Sequence, residues 1–412
     1  MKPDSTAIHA ALVHDLPAAL AHLCAWVGVN SHTCNRDGVN LLGRATATAF
    51  APLGFSAEFV PCEDRHYGDH LFLCRPGRTR TVLLCVSHLD TVFSPEEEVR
   101  NHFQWREAEG RIYGPGTVDI KGGTALLWLQ LSALRAAAPK LFEHFTWVVA
   151  CNAAEEVLSD DFARAALTRF GANARAALVY ESGPWHKNEF TLVTARKGRA
   201  EFRVATLGRG AHAGSCHADG VNAIAELARL VPQIEALTNP AHECTANVGL
   251  IRGGEALNRV PHAAEVLGEL RAYDPAVLAA AENAILMLAG HGHIVAVADG
   301  YRCRVLADIT GRTSAWPENA ATQRLFDIYA RAAKKLAAIV TTERRGGLSD
   351  GNLLALHLPT LDGLGPFGGN AHTSEWNDDP AARKRPEFLD PASLLPKAML
   401  NLMTVQELAE EI

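Results

Sequence analysis

TVLLCVSHLDTVF, residues 81–93, is the stretch whose reading decides the fold. Its first six residues form a short, β-rich apolar run without polar alternation, the pattern of a strand covered on both faces. Two runs of the same kind come later, TWVVAC at residues 146–151 and AALVY at residues 176–180. Between the first two, GTALLWLQLSAL at residues 123–134 is continuously helix-forming. Strand and helix alternate, which is the order of an α/β sheet sandwiched between layers of helices. Upstream, Leu12, Leu16, Leu20, Leu23 and Val27 recur at helical spacing within residues 5–29 and predict an amphipathic helix that packs on a core.

The pattern changes after about Thr194. Strand (200–207), helix (221–237), strands (245–251 and 265–273), helix (275–288) and a last strand, at 294–298 or 301–306, follow in the split βαβ order of a small ferredoxin-like α+β domain. A helix at 320–339 and a strand at 359–361 then resume the α/β pattern. The chain is therefore expected to carry an α/β domain in two parts, residues 1–194 and 309–412, with residues 195–308 inserted between them. A length of 412 residues suits two domains.

Composition narrows the function classes. With 48% hydrophobic and 21% charged residues, the chain is neither fibrous nor disordered. A net charge of -7, with Lys and Arg scattered, argues against a nucleic-acid partner and for a small-molecule one. Nine cysteines without a C-x-x-C pair indicate neither a disulfide framework nor a thiolate zinc site. The first residues lack a basic region followed by an apolar core, and no run of about 18 apolar residues is expected to span a bilayer. A cytoplasmic location and no membrane partner are the expectations.

The chemistry gathers at strand ends. His88 and Asp90 lie two apart and so share a face of the extended chain, which suits a metal ligand and the carboxylate that orients it. A satisfied core histidine is the plainer alternative. In YGPGTVDIKGG, residues 113–123, glycines flank Asp119 just before a helix begins, so the carboxylate is held at a turn, as a helix cap or as a ligand. Glu155 and Glu156 stand side by side beyond an apolar strand; such a pair is less costly when it shares a cation, and a solvated helix start is the alternative. Glu181 ends another strand, and His372 comes just after the Gly-rich loop GLGPFGGN. Together these imidazoles and carboxylates suit two divalent cations bridged by a carboxylate. The G-x-G-x-x-G at Gly363, Gly365 and Gly368 has no subsequent helix pattern to complete a dinucleotide site, and Cys151 reads as an inert buried thiol.

In this order, HLDTVF, YGPGTVDIKGG, the Glu155 and Glu156 pair, YESG, HAG at residues 212–214, NRVP at 258–261, GGLSDGN and AHTSEW resemble the dinuclear zinc aminoacylase and carboxypeptidase family. That group includes glutamate carboxypeptidase, acetylornithine deacetylase and succinyl-diaminopimelate desuccinylase. The resemblance runs from about Val82 to Glu375. It implies an α/β/α sandwich catalytic domain with an inserted lid and dimerisation domain, hence a homodimer. It also implies two metal ions, zinc first and manganese or cobalt as alternatives. Asp119 would bridge them, with His88 and Glu181 on one metal and Glu156 and His372 on the other. Glu155 would be the general base, Asp90 the partner of His88, and His212 the donor to the oxyanion, often from the partner subunit. Asn258 and Arg312 would hold a substrate carboxylate, and the bond from Asp119 to Ile120 would be cis. The expected reaction is hydrolysis of an amide C–N bond in an N-acyl amino acid or dipeptide-like substrate. Two departures qualify the likeness: NAAEEVLSDDF stands where relatives often read DEE followed by a Gly-Ser pair, and SPEEEVRNHFQW is unusually acidic. Two alternatives stay open, hydrolysis of a ureide, amidine or aromatic amine with release of ammonia, and a metal-containing binding protein without catalysis.

Overall fold

In the computed structural model, which describes residues 4–376 and 385–411, the strand Val82–His88 lies inside a six-stranded sheet. The order across that sheet is Ser56–Pro61, Asp69–Arg75, Thr146–Asn152, Val82–His88, Ala174–Val179 and Thr360–Leu361. The last four run parallel, and the first two pair antiparallel at one edge. Parallel strands must be covered on both faces, and the apolar runs meet that demand by alternation. Leu83, Cys85, Trp147 and Val149 face a layer of helices that includes Ser5–Val27, Lys121–Ala137 and Leu394–Glu410. Val82, Leu84, Val86, Val148 and Ala150 face Phe162, Ala163 and Ala166 of the helix Asp161–Phe170. Each fully buried Val or Leu contributes about 1.5–3 kcal/mol, so both layers are held by the same few strands.

The helix Ser5–Val27 is long and apolar enough, by length and average composition, to cross a membrane, although it contains no unbroken run of about 18 apolar residues. Its Ile8, Leu12, Ala19, Leu23, Trp26 and Val27 are instead buried in the core with Trp128 and Leu400. Alanines between the leucines raise its hydropathy while leaving the helical stripe unchanged, and the polar residues scattered among them interrupt any continuous apolar run.

The described residues divide between two compact units, Met1–Thr194 with Glu318–Arg344 and Ser349–Ile412, and Ala195–Pro317 with Arg345–Leu348. In the second, five antiparallel strands lie in the order Thr245–Gly253, Ala263–Ala272, Gly198–Leu207, Arg302–Thr313 and Gly290–Val295. The helices Ala223–Glu235 and Pro275–Leu286 bury Leu227, Ile234, Leu278 and Ile285 against this sheet. The first four strands give the ferredoxin-like order, and the fifth is an added edge. Both stretches that competed for the last strand are therefore partly used, as two arms of one hairpin. The second arm runs to Thr313 because it pairs with Gly198–Leu207 from Arg199, opposite Thr313, to Leu207, opposite Arg304, with one irregularity at Glu201 and Phe202.

Candidate metal centre

The parallel strands of the six-stranded sheet all end at one edge, and the loops leaving them gather there. His88 is the last residue of its strand, Glu181 stands two beyond Val179, and Glu155 and Glu156 open a short 3-10 turn three residues past Asn152. Asp119 sits before the helix Lys121–Ala137, at a turn where Gly114 and Gly116 take positive φ of 148° and 77° that a side chain would strain. The bond from Asp119 to Ile120 is cis. The helix is capped by Ile120 without a side-chain bond, so Asp119 is not its cap. His372 comes from a loop in which it takes φ 63°, an uncommon conformation for a residue with a Cβ.

These side chains converge. Nε2 of His88 lies 3.1 Å from Oδ1 of Asp119 and 3.5 Å from Oε1 of Glu181. Nε2 of His372 lies 3.2 Å from the other oxygen of Asp119, Oδ2, and 3.3 Å from Oε2 of Glu156. Two groups of three thus form, His88, Asp119 and Glu181, and Asp119, Glu156 and His372; in each, the ligand atoms lie within 4.8 Å of one another. Ligands about 2.0–2.1 Å from a tetrahedral metal stand about 3.3 Å apart, which these spacings match. Glu155 is outside both groups, its Oε2 4.0 Å from Nε2 of His88.

Asp90 ties the parts together. Its Oδ1 accepts from the amide of Glu155 at 3.0 Å and lies 3.3 Å from Nδ1 of His88; its Oδ2 accepts from the amide of Glu156 at 3.2 Å and from the Thr33 hydroxyl at 2.7 Å. Nδ1 of His88 also reaches the Asp90 carbonyl at 3.0 Å, which leaves Nε2 to face the carboxylates.

The electrostatics come from packing acids together away from water. Burial pushes the carboxyl of Glu155 well above its ordinary value, that of Glu156 up to about 7, and that of Glu181 upward, with neighbouring carboxylates adding to each. Burial resists charge on Asp119 too, but hydrogen bonds with His372 and His88 hold it below the usual carboxylate range. Burial pulls His88 down, yet Asp119, Asp90 and Glu181 outweigh it and hold the imidazole well above its ordinary value. His372 is raised to about 10 by Asp119 and Glu156. A cluster of this kind is stabilised by protons or by cations.

Several contributors had no separate signal in the sequence. Asn152 donates to Oδ1 of Asp350 at 2.8 Å, and burial pushes the Asp350 carboxyl up to about 8. The motif GGLSDGN holds Asp350, but only folding brings it beneath the strand ends. Glu387 accepts from the amides of Val118 and Asp119 at 2.9 and 3.2 Å, and nothing in its sequence surroundings marks it. Cys151 is fully buried with its thiol pushed up to about 12.

Three expected residues lie in the second unit. Nδ1 of His212 accepts from the amides of Gly214 and Ser215, both at 3.1 Å, so Nε2 carries the proton of this exposed imidazole. Asn258 is brought beside it, its carbonyl accepting from the amide of Ala213 at 2.9 Å. Arg312, on the strand Arg302–Thr313, donates from Nε to Glu282 at 2.7 Å and keeps a side chain that is 59% exposed.

The chain is similar in sequence and in fold to known proteins. The chain is 27% identical over 271 residues to carboxypeptidase G2 of Pseudomonas sp. (strain RS-16), a match covering 66% of this chain and 63% of that protein. It is 29% identical over 249 residues to acetylornithine deacetylase of Proteus mirabilis (strain HI4320), covering 58% and 60%. The matched stretch therefore spans less than two thirds of either relative's length. Among solved structures, the aminopeptidase PepT from Bacillus cereus ATCC 10987 superposes with a TM-score of 0.72 at 22% identity, covering 96% of this chain and 99% of that one, and so shares the fold. The sequence profile of peptidase family M20/M25/M40 matches residues 84–388, well over half of the chain, and the chain belongs to that family.

Proposed function

We propose that this protein hydrolyses an amide C–N bond in a small, carboxylate-bearing substrate, an N-acyl amino acid or a dipeptide-like molecule, using two divalent metal ions. The observation that carries the proposal is the division of Asp119, whose two oxygens each face a different imidazole and a different glutamate. A bridging carboxylate is built this way, and oxygen and nitrogen donors without thiolate suit zinc, with manganese or cobalt as alternatives. His88 and Glu181 would hold one ion, Glu156 and His372 the other. Bound there, the ions would supply Lewis acidity that polarises a carbonyl and acidifies water.

The chain's own residues do the rest. Glu155 lies beside His88 of one group and belongs to neither, so its carboxylate is left to take a proton from the attacking water and return it to the leaving nitrogen. Asp90 fixes the tautomer of His88 and the backbone of Glu155 and Glu156. His212 offers Nε2–H to a developing oxyanion, in the reading of a homodimer from the partner copy. Asn258 and Arg312 take the substrate carboxylate, a guanidinium being suited to two parallel hydrogen bonds. The relatives are a carboxypeptidase and a deacetylase by name, which supports an amide-type bond.

The test is Glu155→Gln, assayed on N-acyl amino acids and dipeptides by release of the free amine. Turnover should fall about 10²- to 10⁴-fold while both metals stay bound. Full turnover with metals bound would remove Glu155 from the role. Ammonia from ureides or amino-aromatics, with no amine from amides, would replace the amide reading.

A further inference from the structure

A second cluster of titratable groups lies at the same edge of the sheet. Cys62, His70 and Asp161 are buried or nearly so, and their ligand atoms also lie within 4.8 Å of one another. Sγ of Cys62 is 3.3 Å and Oδ2 of Asp161 3.2 Å from Nε2 of His70. By distance alone this is a third metal site. The hydrogen positions say otherwise. The amide of Ala153 points at Nδ1 of His70 from 3.2 Å, and an amide nitrogen only donates. Nδ1 must therefore be the acceptor, and Nε2 carries the ring proton towards Asp161. A metal-bound imidazole has the opposite arrangement, with its free nitrogen donating outward. Oδ2 of Asp161 is also taken by the amide of Glu63 at 2.7 Å, and burial pushes the Cys62 thiol up to about 12.

The cluster grips the segment that carries Glu155 and Glu156. Four consecutive amides there donate to side chains: Ala153 to His70, Ala154 to Oδ1 of Asn152 at 3.0 Å, and Glu155 and Glu156 to the two oxygens of Asp90. The far end of the same loop is Asp161, whose Oδ1 accepts from the Ser159 hydroxyl at 2.6 Å and whose Oδ2 faces Nε2 of His70. One imidazole thus spans the loop from residue 153 to residue 161. His70 can do so because it enters an antiparallel strand at the edge where the parallel strands end, one residue before Leu71 pairs with Cys151.

We propose that His70, backed by Asp161, is a positioning residue: a clasp that fixes the Ala153–Asp161 loop and so sets Glu156 against the metal and Glu155 against the substrate. The inference rests on the two-metal reading above. Its test is zinc titration and amide hydrogen exchange on the wild type, His70→Phe and His70→Gln. Phenylalanine removes both bonds, whereas glutamine restores one acceptor and one donor. In His70→Phe, one of two zinc-binding steps should weaken about 10- to 100-fold while the other stays within about 2-fold, and exchange should quicken at Ala153 to Glu156. His70→Gln should recover most of both effects, which a general loss of folding would not permit. Fewer than two zinc ions on the wild type would sink the two-metal reading itself. Two ions on the wild type with unchanged affinity and exchange in His70→Phe would overturn the clasp alone. A third ion, lost in His70→Phe, would overturn it in favour of a metal site.

Discussion

Replacing Asp90 with asparagine removes one charge and leaves the shape almost intact, so its consequences can be worked out from hydrogen positions. Both carboxylate oxygens accept from backbone amides, Oδ1 from Glu155 and Oδ2 from Glu156. An asparagine has one acceptor oxygen, so in either orientation its NH₂ confronts an N–H group. The Thr33 hydroxyl can turn to accept, but an amide cannot. The side chain of Asp90 is wholly buried, so the orphaned amide meets no water. One unsatisfied donor, together with the weakening of the bonds that were charge-assisted, amounts to about 2–4 kcal/mol. The neutral group also orients His88 less strongly, which predicts about 10- to 100-fold weaker zinc binding. Urea unfolding in excess chelator measures the first quantity and zinc titration against a competing dye the second. If Asp90→Asn stays within about 0.5 kcal/mol of wild type and keeps its zinc affinity, the assignment of Asp90 as the organiser of the site is wrong.

Acid stability offers another test. Burial resists the charge on Asp161, but His70, Ser159 and the Glu63 amide outweigh it and hold the carboxyl below its ordinary value. A depressed pKa contributes stability that is present above the unfolded value of about 4 and is lost as pH falls towards the folded one. The stability difference between wild type and Asp161→Asn should therefore be full at pH 7 and shrink below about pH 4; a constant difference down to about pH 3 would contradict the assignment. For Arg312→Ala, KM for carboxylate-bearing amides should rise with kcat little changed, and an unchanged KM would take Arg312 out of substrate binding.

Much of this was legible before folding, for identifiable reasons. The runs at Val82, Thr146 and Ala176 have no alternation because their sheet is covered twice, and that signal survives in a linear reading. His88, Glu156 and Glu181 come after strands of the parallel sheet, so the rule that parallel strands end at one edge brings them together; Asp119 and His372 follow glycine turns outside that sheet, and their place in the set came from the resemblance to the family. Other parts were hidden. The strand Glu189–Arg196 pairs with Ile339–Arg345, a partner about 150 residues away, and neither stretch has a pattern that names the other. The helix expected to reach residue 339 stops at Lys335, where Ala337 takes φ 52° and the chain turns into that strand. Glu387 and His70 act through backbone amides or buried partners, and a lone acid or imidazole in a sequence carries no mark of what will surround it; Asp350 lies inside GGLSDGN, but the motif does not say which buried partner it meets.

The central claim, that Asp119 bridges two cations, is tested most directly by anomalous diffraction from crystals of the zinc-loaded protein. The account predicts two peaks about 3.5–4 Å apart, one among His88, Asp119 and Glu181 and one among Asp119, Glu156 and His372. A single peak, or two that do not share Asp119, would contradict it.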